Sequence, residues 1–213
     1  MNGWSTQVAA AFGLGLALGV APGPVQVLLL TEASREGIWR GVRVMAGVTS
    51  VFFAILAALS FGFAAWQPSD AVLRGLRLAG GGFLILLGID ELRGVLRGAG
   101  GETDGTNGRR RLQNPALRGA LAVLLSPGAW LFFATTASAV LAQASADGGR
   151  GLALLTAAAI ALGAATADFG SVLLGTGSRV VFGERALRVI RAVLAGLLVA
   201  LGAAFVLGAV RAG

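Results

Sequence analysis

The chain contains no cysteine, histidine, tyrosine or lysine. Without thiols or imidazoles it has no disulfide, no thiol redox couple and no thiolate or imidazole metal ligand. Charged residues make up only 13% of its 213 residues, and all 17 basic ones are arginine against 10 acids. A nucleic-acid module needs a basic face on a soluble fold, whereas these arginines stand at the ends of apolar runs, so nucleic acid is not expected as a partner. No nucleophile and base stand at a convincing spacing and no metal cluster is visible, so neither enzymatic chemistry nor a cofactor is expected.

What is present is apolar: 56% hydrophobic residues and a mean hydropathy of +0.81. No soluble core needs that much, and about 20 apolar residues in a helix cross a ~30 Å hydrocarbon layer. Runs of that kind lie near Thr6 to Thr31, Val42 to Trp66, Leu73 to Ile89, Ala120 to Ala142, Gly151 to Thr176 and Ile190 to Val210. The expected fold is therefore all-α, a polytopic membrane protein of six spans forming one domain over 1–213. The first run has no basic segment ahead of it and reads as a retained span, not a cleaved signal. Alternate connections carry Arg35, Arg40 and Arg43; Arg93, Arg97, Arg109, Arg110, Arg111 and Arg118; and Arg179, Arg185, Arg188 and Arg191. The opposite side has Arg74, Arg77, Arg150 and Arg211. The positive-inside bias then places both termini outside the cytoplasm. The Gly-rich polar stretch within 93–117 reads as a cytoplasmic linker between repeat one (1–92) and repeat two (118–213). Three spans per half force the second half upside down, so inverted three-helix repeats are expected, a common transporter plan.

The first helix of each half is interrupted by proline. Pro22 and Pro24 flank Gly23 in span one, and Pro127-Gly128 follows Ser126 in span four, 105 residues from Pro22-Gly23. Each proline removes a donor from a preceding carbonyl, which in lipid costs several kcal/mol unless protein, water or ligand replaces it. Ser126 stands where an N-cap belongs and Pro127 at the first helical position, so a positive dipole end is expected inside the membrane, suited to a carboxylate. Either the breaks are structural kinks or they are paired ligand sites. Span five adds Asp168, 11 residues from Arg179 and 18 from Arg150. An acid at that depth faces a polar cavity, a cation or a proton, or else a structural hydrogen bond in a neighbouring span. Counting from Arg35 and Arg118, the breaks share a similar depth with Asp168, and one cavity among them is expected. Gln26 lies a turn beyond Pro22, and Thr135 and Thr136 two turns beyond Pro127; these line the same route or bond to backbone. Trp4, Trp39 and Trp66 are expected as interfacial anchors, and Trp130 as packing. Arg35, Glu36, Asp90 and Glu91 are expected to pair on the cytoplasmic surface.

Small residues recur every fourth position: Ala11, Gly15, Gly19 and Gly23; Ala159, Gly163, Ala167, Ser171 and Gly175; and Ala192, Gly196, Ala200, Ala204 and Gly208. Close helix contacts follow, though periodicity does not separate packing within the chain from a homodimer interface.

Three blocks in order, "PGPVQVLLLTEASREGIWRGVRVMAGV", "LRLAGGGFLILLGIDELRG" and "LRGALAVLLSPGAWLFF", resemble the LysE/RhtB family of amino-acid exporters over most of the chain. The resemblance implies a six-helix inner-membrane exporter coupled to the proton gradient, with amino acids or related small solutes as substrate and the lipid bilayer as partner. Where members have a polar residue after Pro24 this chain has Val25, and where Asn-Pro-Lys is usual it has Ser126-Pro127-Gly128. The expected substrate-binding residues are Pro22, Gly23, Pro24, Gln26, Ser126, Pro127, Gly128 and Asp168, with Asp168 also taking the proton. A non-transporting scaffold or assembly protein, or an exporter of another small solute or ion, is the alternative; Pro22, Pro127 and Asp168 sealed in dry packing would favour the scaffold.

Overall fold

Lipid offers backbone groups no partners, so spans form as helices that satisfy their own bonds. The computed structural model describes residues 3–21, 23–62, 70–97, 114–181 and 184–211. These form α1 (Gly3–Val20), α2 (Pro24–Glu36), α3 (Ile38–Ser60), α4 (Asp70–Arg97), α5 (Pro115–Leu124), α6 (Pro127–Phe132), α7 (Ser138–Val181) and α8 (Glu184–Arg211), with a π-helical turn at Phe133–Ala137. No strand occurs among the described residues. Among the described residues five stretches are long and apolar enough to cross a membrane: Gly3–Val20, Ile38–Ser60, Asp70–Arg93, Pro127–Ser178 and Arg188–Arg211. Large apolar side chains such as Leu86, Leu162 and Leu174 point outward, as a bilayer solvent requires.

Of the expected linker, residues 93–97 belong to α4 and 115–117 to α5, while 98–113 lie outside the described residues. The stretch Pro127–Ser178 is 52 residues long and leaves helical geometry at Gly148 and at Gly149, where φ is 68°. The chain turns back there: Ala144 and Leu152 share a cluster, Ser60 bonds to the Ala153 carbonyl, and Gly41 at the far end of α3 lies against Val172. A second tight turn joins α2 to α3 at Gly37, whose φ of 89° suits glycine alone.

Helices meet where glycine lets backbones touch. On α1 the buried residues are Ala11, Gly15 and Gly19, the stripe expected from spacing. A Cβ on Gly15 would stand 1.9 Å from the Ile160 carbonyl oxygen, and one on Gly163 2.1 Å from that of Phe12. The α3–α5 contact repeats this: Gly47 would meet the Ala116 oxygen at 1.9 Å and Gly119 that of Val44 at 2.1 Å. The two contacts superimpose in sequence. Adding 104 carries Phe12 and Gly15 to Ala116 and Gly119, and subtracting 116 carries Ile160 and Gly163 to Val44 and Gly47. The α4–α8 contact pairs with itself, since Gly81 and Gly202 would each meet the other's oxygen at 2.6 Å.

On α8 the expected stripe is corrected. Gly196, Ala200 and Ala204 are exposed, and the buried residues are Ala195, Leu198, Gly202 and Ala209, of which Ala195 and Gly202 meet α4. The step of seven from Ala195 to Gly202 to Ala209 matches the step from Gly81 to Gly88 on α4, a coiled-coil-like seam, and it displaces the fourfold stripe to the outside.

Candidate functional site

The first break interrupts the chain between Val20 and Pro24. The Ala21 amide turns back to the Ala17 and Leu18 carbonyls at 3.1 and 3.3 Å, tightening the end of α1. The Gly19 carbonyl instead accepts from Gln26 Nε2 at 2.9 Å. Gln26, on the first turn of α2, thus bonds back across the break. Pro24 starts α2 at a helical position where its missing N–H costs nothing, and Gly23 precedes it in an extended conformation. A Cβ on Gly23 would come to 3.3 Å from Gln26 Oε1, so the amide lies over this residue. Pro22 lies outside the described residues.

Gln26 Nε2 also donates to Asp168 Oδ1 at 3.4 Å, a long bond. Asp168 is 3% exposed and reaches the break because Gly19 lets α7 approach: a Cβ there would be 2.7 Å from that of Ala167. Gly23, Gln26 and Asp168 are therefore brought together. Asp168 differs from the other buried acids. Glu32 is held by Arg40 and Arg118, and Glu91 by Arg35 at 3.3 Å, whereas Asp168 meets a neutral amide.

The second break separates α5 from α6, and its chemistry is different. The Ser126 hydroxyl accepts from the Ala129 amide at 3.3 Å, as an N-cap should, and Pro127 follows at the first helical position. Trp130 Nε1 donates to the Leu124 carbonyl at 2.7 Å. Ser126, Pro127 and Gly128 thus sit beside α4, where Gly80 packs on the Leu125 carbonyl, while Asp168 stays with the first break. Phe52, Phe132 and Phe133 surround the start of the π-helical turn, with Trp130 edge-on to Phe133 at 6.0 Å. Thr135 bonds to the Leu131 carbonyl at 2.7 Å and is exposed, the backbone role open to it from sequence; Thr136 is exposed too.

An ionic cluster at the arginine-rich end was not expected to be buried. Glu32 and Arg118 are 1% and 6% exposed and bond to each other, Arg40 bonds to Glu32, and Arg118 reaches Asp90 at 2.9 Å. Glu91 is buried as well, while Glu36 and Asp90 are half-exposed, as expected. Burial of Glu91 is a correction: α4 packs along α8, and Arg35 on α2 meets the carboxylate. The only sequence signal for Glu32 was its position immediately after the apolar run Leu28-Leu29-Leu30-Thr31. Trp4 and Trp39 are exposed near helix starts, as anchors should be, and Trp66 lies outside the described residues.

Pro127 and Asp168 are both buried, an arrangement that fits a scaffold and equally a translocator closed on both sides. An open groove of about 560 Å³ lies between α1 and α7, lined by Trp4, Phe12, Leu155 and Leu162, near the other end of α1. Comparison with known proteins decides between the two readings. No curated protein and no solved structure matches the chain. Residues 16–209 match the family model of the LysE type translocators, spanning both breaks, Asp168 and the ionic cluster; the chain belongs to this family, a multi-pass membrane protein that moves small solutes.

Proposed function

We propose that the chain exports amino acids or related small solutes from the cytoplasm of a prokaryotic cell across the inner membrane, by proton antiport at Asp168. The observation that carries this reading is the pairing of Asp168 with Gln26 beside an interrupted helix. Among the described residues no cation pairs with this buried carboxyl, so a proton or a substrate ammonium takes that place, and the two exclude each other. Carbonyls at the end of α1 add acceptors for the same ammonium. This is how exchange is coupled: one group, two alternative occupants.

The alternating access that antiport requires is supported by the matched glycine contacts. A constant offset within each helix pair, 104 from α1 to α5 and 116 from α3 to α7, fits two inverted three-helix repeats, each opening on a broken span, with six passes in all. The arginine bias orients them with both termini outside. A reporter fused after Gly213 should read as external. Export is tested with Asp168→Asn in vesicles with a clamped pH gradient: the variant should insert normally, bind substrate more weakly and lose its dependence on the gradient. Wild-type gradient dependence in the Asn variant would make Asp168 structural.

A further inference from the structure

On the arginine-rich side each interrupted helix ends in a short segment. From the first break α2 runs 13 residues to Glu36, and into the second break α5 runs 10 residues from its Asn114 cap. The inner end of each segment is a joint, where backbone bonding is interrupted and a side chain bridges the gap. The outer ends are tied together. Glu32 on α2 accepts from Arg118 on α5 and from Arg40 on α3, and Arg118 donates to Asp90 on α4. Four helices thus converge on one buried carboxylate and one buried guanidinium.

Such a pair is hard to part in a dry interior, because separation leaves two uncompensated charges, and easy to part once water reaches them. It is therefore a two-state contact, not a graded one. Nor is it repeated among the described residues at the other end. By the offsets that match the glycine contacts, Glu32, Arg118 and Arg40 correspond to Thr136, Leu14 and Thr156, none of which carries charge. Among the described residues the buried ionic cluster stands at one end alone, while at the other Gln7 and Gln143 donate to Asp147.

We propose that Glu32 and Arg118, completed by Arg40 and Asp90, form a latch that closes the arginine-rich end by holding α2 and α5 together, and that this end opens when those segments swing about the two breaks. The proposal rests on the transport reading only in making that opening a step of the cycle. Its test needs no substrate.

Ala122 on α5 lies one turn from Arg118 toward the break and is 4% exposed, and Ala144, fully buried, lies toward the other end. The absence of cysteine makes either Ala122→Cys or Ala144→Cys a single thiol in the chain. Each is labelled with a membrane-impermeant maleimide in inside-out vesicles and in intact cells. In the otherwise unchanged chain both thiols should react slowly from either side. Glu32→Gln or Arg118→Gln should speed labelling of the Ala122→Cys thiol by roughly tenfold or more from one side only, and leave the Ala144→Cys thiol slow. Unchanged labelling at Ala122→Cys would overturn the latch. So would equal acceleration at both positions, since the cluster would then stabilise the whole fold instead of closing one end. Asp168→Asn should leave both thiols slow, so failure of the coupling reading and failure of the latch give different results.

Discussion

At the first break Gln26 reaches back seven residues to the Gly19 carbonyl; at the second Trp130 reaches back six to that of Leu124. The bridging residues correspond, since 26 plus 104 is 130, the offset that also matches the glycine contacts of α1 and α5. On the partner helices, Asp168 minus 116 is 52, the position of Phe52. So where the first half holds an amide and a carboxyl, the second holds an indole and a phenyl ring within an aromatic cluster. Both breaks solve the same backbone problem, a freed carbonyl in lipid, by the same move from one turn beyond. Only one leaves ionisable chemistry behind. Proline interruption is thus common to both breaks, and a buried ionisable group stands at one of them.

The largest effects are expected when the bridging side chains are exchanged for leucine. Gln26→Leu leaves both the Gly19 carbonyl and Asp168 without the amide, and export should fall by an order of magnitude or more, matching the ~1–3 kcal/mol cost of an unmet buried group. Trp130→Leu frees the Leu124 carbonyl and should cost stability of similar size, read as a lower unfolding midpoint in detergent, while apparent substrate affinity per folded molecule stays unchanged. Equal effects of the two on affinity would erase the distinction between the breaks. Ser126→Ala removes the cap of α6 and should cost about 1 kcal/mol, again in stability and not in affinity. The smallest contrast is at the glycines. Gly23→Ala presses on Gln26 Oε1 at 3.3 Å and should lower affinity a few-fold, whereas Gly128→Ala meets its nearest neighbour, Ser126 Oγ, at 3.9 Å and should behave as wild type in uptake assays.

Much of this was legible in the sequence because it depends on local rules. Prolines in an apolar run mark a break, Ser126 before Pro127 marks a cap, and the Ala11, Gly15, Gly19 stripe marks the face that meets α7. Legibility failed where a partner helix makes the choice. Fourfold spacing on α8 offered Gly196, Ala200 and Ala204, but the sevenfold glycines of α4 select the face of Gly202 instead. The Glu32–Arg118 pair failed for the same reason: its members are 86 residues apart, and charges beside a span end look interfacial until α2 and α5 pack against each other. Sequence depth alone likewise put the two breaks at one level without saying that α4 lines the second and α7 the first.

On the proposed mechanism, substrate and proton exclude each other at Asp168. This exclusion is tested most directly by titrating the purified protein with individual amino acids in a calorimeter, in two buffers of different ionisation enthalpy, so that protons exchanged on binding are counted. For the amino acid that binds, the wild-type chain should release protons on binding, and Asp168→Asn should bind more weakly with no proton release. Tight binding without proton release in the wild type, or the same release in Asp168→Asn, would contradict it.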